Sequence, residues 1–254
     1  VAISGDTIIV GADDDDINSD LNQGSAYIFV RTGNVWLAQE KLITNDGEEN
    51  DNFGYSVAFS NDTAIIGAYT DMVGSNVNQG SAYIFVRNGG AWTQQAKLTA
   101  NDGAASDLFG NSVAISSGTV IVGAFAANVN SNSNSGAAYI FTRSGTTWTQ
   151  QAKLIASDGA GDDLLGASVD VTVSITGTVA VVGASEDDVA GNTAQGSAYI
   201  FTRSQFGTWS QTQKLVAVDG SNNCFFGRAV SIDSVLGNTI IIGALNDNIG
   251  PNDN

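Results

Sequence analysis

The residues of this 254-residue chain whose types and spacing first suggest chemistry are acidic. Asp13, Asp14, Asp15, Asp16 and Asp20 fall within eight residues, and Glu186, Asp187 and Asp188 form a second group. Asp15, Asp71, Asp187 and Asp247 each stand four positions after the glycine of a Gly-Ala pair, with Ala127 interrupting the series. A hard cation such as Ca2+ takes roughly six to eight oxygens from carboxylates, amides and backbone, so these ten residues are the candidate metal ligands. An aspartate recurring at a strand end can equally serve as a turn or capping group, and both readings stay open.

A second set of carboxylates follows another rule. Asp46-Gly47 precedes Asp51, Asp102-Gly103 precedes Asp107, Asp158-Gly159 precedes Asp163, and Asp219-Gly220 precedes Cys224. Asp-Gly is a turn signal, and the later Asp is placed to cap backbone N–H groups. Paired carboxylates can hydrolyse glycosides, but a catalytic pair should break a repeat, whereas these acids are copied through it. The chain has no histidine, which removes the commonest general base and the usual Ser/His and Cys/His nucleophile pairs. Its one cysteine, Cys224, can form neither an internal disulfide nor a thiolate zinc site. The departures from the repeat are insertions near Asp170 and Asp233, the extra Gln205 and Phe206, and Arg228. They assemble no catalytic set, so the chain is expected not to be an enzyme.

Nine basic residues against 26 acidic ones give a net charge of -17. Phosphate neutralisation needs a basic face, so a nucleic-acid partner is excluded, and anionic membrane surfaces are disfavoured. No stretch approaches the roughly 20 apolar residues that a membrane-spanning helix needs, so no membrane insertion is expected.

What positions these residues is a repeat of 56 residues, lengthened by insertions towards the end. Gly-Ala pairs begin at Gly11, Gly67, Gly123, Gly183 and Gly243, and Phe-Gly or Leu-Gly pairs at Phe53, Phe109, Leu165 and Phe226. Gly-[Ser/Ala]-Ala-Tyr-Ile-Phe begins at Gly24, Gly80, Gly136 and Gly196, and Trp36, Trp92, Trp148 and Trp209 recur with Lys41, Lys97, Lys153 and Lys214. All four Lys, and Arg31, Arg87, Arg143 and Arg203, are locked to the repeat, which marks them as architectural. Periods of about 40 to 60 residues rich in short strands point to propellers.

In the second unit the pattern predicts strands over residues 55–60, 63–68, 81–87 and 92–98. Each is short, β-branched or aromatic, and bounded by Gly, Asn, Asp or Ser. In the fourth strand simple alternation puts Trp92, Gln94, Ala96 and Leu98 on one face and Thr93, Gln95 and Lys97 on the other. Its polar residues suit an outermost edge, and Ser56 and Ala58 suit the crowded strand nearest an axis. Two long Asn/Asp/Gly/Ser-rich loops per unit are where binding would reside. Residues 128–135 read as a mobile loop.

Phe-Gly, then Gly-Ala about 13 positions later, then Gly-Ser-Ala-Tyr-Ile-Phe resembles the FG-GAP repeat family of β-propellers. The resemblance implies an all-β propeller of four-stranded antiparallel blades, usually extracellular or on the cell surface. It also implies adhesion or binding of a protein or glycan ligand, often with Ca2+. The family's integrin-type Ca2+ cage between its two marks has no counterpart in residues 55–66, and the Pro of its second mark is replaced. The pattern is closer to short bacterial repeats.

Residues 1–254 are expected to form a single domain, or part of one, with units 1–52, 53–108, 109–164, 165–225 and a half unit 226–254. That makes about 4.5 blades. The half blade implies a larger ring of five to seven blades, completion by another chain through the unpaired edge, or an edge left open. The function expected is a binding or adhesion scaffold, with a structural subunit of an extracellular assembly as the alternative.

Overall fold

The computed structural model describes residues 1–174, 177–233 and 239–247; the parts of the two insertions at 175–176 and 234–236 lie outside them. Eighteen strands form five antiparallel sheets, and no helix occurs among the described residues. Blade 1 contains β1 (Ala2–Ser4), β2 (Thr7–Ala12), β3 (Ser25–Thr32) and β4 (Val35–Leu42). Blade 2 contains β5 (Phe53–Ser60), β6 (Thr63–Ala68), β7 (Ser81–Asn88) and β8 (Ala91–Leu98). Blade 3 contains β9 (Val113–Ser116), β10 (Thr119–Ala124), β11 (Ala137–Ser144) and β12 (Thr147–Leu154). Blade 4 contains β13 (Leu165–Ser174), β14 (Gly177–Ala184), β15 (Ser197–Arg203) and β16 (Trp209–Leu215). The half blade is β17 (Phe226–Ile232) paired with β18 (Ile240–Ala244).

The strands run in sequence order across each sheet, as tight turns such as Asn61-Asp62 and Gly89-Gly90 require. The first strands gather round an axis, where Ile3, Phe59, Ile115, Val171 and Ile232, one from each blade, line a cavity of about 480 Å³. Five sheets sharing one axial cavity make the arrangement a propeller.

One expectation is corrected in the fourth strand. Phe85 pairs with Gln94 but Ile84 pairs with Ala96, so Gln95 is a β-bulge. Gln39, Gln151 and Thr212 are skipped in the same way in the other blades. The extra residue reverses the alternation beyond it, so Lys97 shares a face with Tyr83, Gln94 and Trp92, while Ala96 and Leu98 join Thr93. The bulged side chains are used: the indole N–H groups of Trp92, Trp148 and Trp209 donate to Gln39, Gln95 and Gln151 of the preceding blade at 3.4, 3.0 and 3.3 Å.

Blades also pack through side chains. Phe53, Ile66, Tyr83, Phe85 and Trp92 of blade 2 bury against Ile9, Ile28 and Leu42 of blade 1. Phe109, Val122, Tyr139 and Phe141 of blade 3 do the same against Ile65, Ile84 and Leu98 of blade 2. Phe53 meets Tyr83 edge-on at 5.5 Å, and Phe109 meets Tyr139 at 5.5 Å. Burying each such ring contributes about 2 to 3 kcal/mol.

Near the axis the contact is backbone against backbone. A side chain on Gly67, the Gly-Ala glycine of blade 2, would collide with the carbonyl oxygen of Gly110, the Phe-Gly glycine of blade 3. Gly11 faces Gly54, Gly123 faces Gly166 and Gly183 faces Gly227 in the same way. Gly110 also has a φ of +97°, which side chains rarely adopt. Serine completes the junction, because the hydroxyls of Ser56, Ser112 and Ser168 donate to the carbonyls of Gly110, Gly166 and Gly227 at 2.7, 2.8 and 2.7 Å. Gly67→Ala is therefore expected to cost about 3 kcal/mol in urea unfolding. Gly243→Ala, at the same repeat position in the half blade, where an added methyl would meet nothing closer than 3.6 Å, should cost much less; equal losses would refute the backbone contact.

Candidate functional site

Three of the four repeat-locked aspartates, Asp15, Asp71 and Asp187, lie beneath the second-to-third-strand loops, each within reach of a lysine. Asp15 accepts hydrogen bonds from Ser25 (2.6 Å) and Tyr27 (3.1 Å) and pairs with Lys41 at 2.7 Å. Asp71 accepts from Ser81 and from Tyr83 (2.9 Å) and pairs with Lys97 at 2.8 Å. Asp187 accepts from Ser197 (2.5 Å) and Tyr199 (3.1 Å) and pairs with Lys214 at 2.7 Å. The acids of the Asp-Gly turns reach these lysines from the preceding blade: Asp46 to Lys97 at 2.8 Å, Asp102 to Lys153 at 2.7 Å, and Asp158 to Lys214 at 2.7 Å. Each ammonium also lies over the tyrosine ring of its own blade, as Lys97 does over Tyr83 at 5.2 Å. The bulge makes this clasp possible by turning Lys97 to the Tyr83 face.

Blade 3 shows that the parts belong together. Ala127 replaces the aspartate and Ala137 the serine, leaving the buried Tyr139 hydroxyl without a well-formed hydrogen bond, with the Asp102 carboxylate as its neighbour. The spacing of Asp71 and Lys97 on one beat was the available sequence signal for the clasp, but strict alternation hid it.

The other acids have separate places. Asp16 and Asp188 accept the backbone N–H of Asn22 (2.9 Å) and Ala194 (2.8 Å), closing their loops. Asp14 accepts from Asn52 at 3.4 Å, and the backbone carbonyl of Asp13 accepts from the same amide at 3.2 Å. Asp20 forms a small backbone bridge with Ile17, Glu186 is exposed, and Asp247 receives the Cys224 thiol at 3.7 Å. No three acidic side chains converge on one point among the described residues. Residues 128–135, expected to be mobile, form a built loop in which Asn134 donates to Asn128 (2.9 Å) and Asp162 (2.9 Å) and Asn132 donates to Gly159 (2.9 Å).

The Asp-Gly loops are capped as their spacing suggests. Asp51, Asp107 and Asp163 accept the N–H of Glu48, Ala104 and Ala160 at 2.7, 2.8 and 2.6 Å, and Cys224 Sγ accepts that of Ser221 at 3.1 Å. Burial pushes Asp51 up to about 7 despite the Glu48 hydrogen bond, and it raises Asp107 and Asp163 as well. Lys41 draws Asp15 down; at Asp102 and Asp158 burial acts upward but the lysine contacts outweigh it.

This geometry repeats with the period of a known family. A family model described as the FG-GAP repeat matches residues 1–29, 36–85, 92–141, 148–201 and 209–254. The chain belongs to the FG-GAP repeat family. No curated protein matches it. No helix among the described residues is long and apolar enough to cross a membrane.

In this FG-GAP propeller the positions beside the two marks differ from blade to blade. After Gly-Ala stand Asp13, Tyr69, Phe125, Ser185 and Leu245; before Phe-Gly stand Asn52, Leu108, Leu164 and Phe225; after it stand Tyr55, Asn111, Ala167 and Arg228. They meet on the face that carries the long loops. Tyr55 and Tyr69 stack at 4.2 Å, and Asn52 joins Asp13 and Asp14 to Thr70, whose hydroxyl donates to it at 2.7 Å. Burial, then Tyr55, Asp13 and Asp14, raise the Tyr69 pKa. Phe125, Leu164, Ser185, Glu186, Phe225, Arg228 and Leu245 line a cavity of about 290 Å³. Sequence reading missed this set because it followed what recurs; the signal is variation inside a locked repeat.

Two outcomes follow for the clasp and the caps. Lys97→Met leaves Asp71, 3% exposed, without its ammonium. It should cost about 3 kcal/mol in urea unfolding, more than Lys41→Met beside the more open Asp15. Asp51, Asp107 and Asp163 hold protons more tightly folded than unfolded, so stability falls as pH rises from the usual carboxylate range, about 4, towards 7. Asp15, Asp102 and Asp158 contribute stability above that range that is lost as pH falls through and below it. The melting temperature should thus peak between about pH 4 and pH 6, and Asp51→Asn should flatten its decline towards pH 8. A melting temperature that rises steadily from pH 5 to 8 would contradict this.

Proposed function

We propose that this FG-GAP propeller is a non-catalytic binding scaffold of the cell surface or extracellular space that holds a protein or glycan on its long-loop face. One observation carries the reading: the locked lysines, aspartates, tryptophans and glutamines bond to one another, whereas the varying residues gather on one face. Loops on a rigid frame are the usual place for recognition. Ca2+ is proposed to be drawn to the same face by the charge of Asp13, Asp14, Asp16 and Asp20, which form no ion pair with lysine among the described residues but do not converge into a cage. Glycans and matrix proteins should be screened with Ca2+ and with chelator. Tyr69→Ala with Phe125→Ala should weaken the captured ligand at least tenfold without lowering the melting temperature. Unchanged affinity would sink the reading, and a melting temperature indifferent to Ca2+ would remove the ion.

A second reading, a subunit of an extracellular assembly, is favoured by β18, whose outer edge has no partner strand among the described residues, with Ile241 71% and Leu245 68% exposed. Sedimentation should then show association that rises with concentration; a monomer throughout would end that reading.

A further inference from the structure

We infer that the 290 Å³ cavity between blades 3, 4 and the half blade binds the C-terminal residue of a polypeptide, an aromatic or branched aliphatic one, by its side chain and its carboxylate. The inference rests on the binding-scaffold reading and names one subsite within it. Four apolar side chains, Phe125, Leu164, Phe225 and Leu245, line the cavity, and its volume suits about one large side chain rather than a drug-sized molecule. Arg228 and Glu186 supply its two charges, and no ion pair joins either to another residue among the described ones.

Arg228 is also the basic residue that the repeat does not explain. The positions corresponding to it hold Tyr55, Asn111 and Ala167, so no blade needs a cation there for packing. A guanidinium presents paired N–H donors that match the two oxygens of a carboxylate. The Glu186 carboxylate, the other charged group of the lining, can accept the N–H that a chain-terminal residue still carries. Acid, donor and apolar body on one residue describe a polypeptide C-terminus. Neither a sugar, which lacks the apolar body even where it carries a carboxylate, nor a phosphate, which lacks it too, uses all three.

The turn before each Phe-Gly or Leu-Gly pair belongs to the repeat: Asn52, Leu108, Leu164 and Phe225 sit at φ of 54°, 58°, 56° and 53°. Asparagine tolerates this left-handed region, whereas a bulky apolar residue there costs about 1 to 2 kcal/mol. Leu164 and Phe225 are the two apolar residues of this series that line the cavity.

The test is calorimetric titration of the intact protein with N-acetyl-phenylalanine, N-acetyl-phenylalaninamide, acetate and free phenylalanine. N-acetyl-phenylalanine should bind at least tenfold more tightly than its amide, and acetate should not bind. Arg228→Gln should remove the preference for acid over amide without lowering the melting temperature. Leu164→Asn should weaken the acid and the amide alike while leaving the melting temperature unchanged or higher. Equal binding of acid and amide, or no effect of Arg228→Gln, would overturn the carboxylate contact. Tighter binding of free phenylalanine would overturn the polypeptide terminus in favour of an amino acid. Absence of binding by every probe would overturn the subsite and leave the scaffold reading intact wherever the Tyr69 and Phe125 substitutions still abolish capture of a larger ligand.

Discussion

Neighbouring blades approach so closely near the axis that backbone touches backbone, and most of the sequence pattern follows from that distance. The glycine of Gly-Ala in one blade lies against the carbonyl of the Phe-Gly glycine in the next, with no room for a methyl group between them. The two marks that name the family are therefore the halves of one contact, separated in sequence by a blade and joined in space across a junction. The aromatic residue before the second glycine then anchors in its own blade, as Phe53 does against Tyr83 and Phe85. Serine two positions after that glycine fastens the following blade by a hydrogen bond, and Ala229 stands at its place in the half blade.

Further from the axis the blades diverge, and side chains must fill the widening gap. The bulge in the fourth strand solves this at the expense of regular pairing. It presents a glutamine towards the indole of the next blade and turns a lysine inward over a tyrosine. The lysine is then shared between an aspartate of its own blade and one delivered from the blade before. A charge buried among apolar rings is tolerable in blades 2 and 4 because the own-blade carboxylates, Asp71 and Asp187, also receive serine and tyrosine hydroxyl donors. Blade 3 keeps the tyrosine and lysine but has lost aspartate and serine together, which is what a jointly satisfied group requires: a serine without its acceptor would be as costly as an aspartate without its donor.

The blade count, the strand order and the half blade were legible in the sequence, because glycine and aromatic spacing report backbone geometry directly. The capping role of Asp51, Asp107 and Asp163 was legible too, since a carboxylate placed soon after an Asp-Gly turn has few other donors within reach. The clasp was not. Period-two alternation puts Lys97 on the side of Thr93, and a bulge leaves no mark in composition that would reverse it. For Asp15, Asp71 and Asp187 the capping and metal-ligand readings therefore both stayed open in the sequence, and lysines on the same beat pair with them. Residues 128–135 looked mobile for a related reason: their polarity is that of a free loop, but asparagine side chains bond the loop to itself and to its neighbour.

A repeat protein confines its freedom to vary. Positions inside a junction answer to two blades at once, so a change at one demands a change at its partner, as Ala127 and Ala137 illustrate. Positions beside the two glycine marks lie at the end of the strands, where the backbone contact has already set the geometry and the side chain answers to solvent or to a ligand. That is why Asp13, Tyr69, Phe125, Ser185 and Leu245 differ in charge, size and polarity although the backbone beneath them does not. The same rigidity that fixes the frame makes this ring of residues separable from folding. It also explains how one arginine, Arg228, can stand among apolar groups with no ion pair among the described residues: no other blade keeps a cation at that position, so the frame does not depend on its charge.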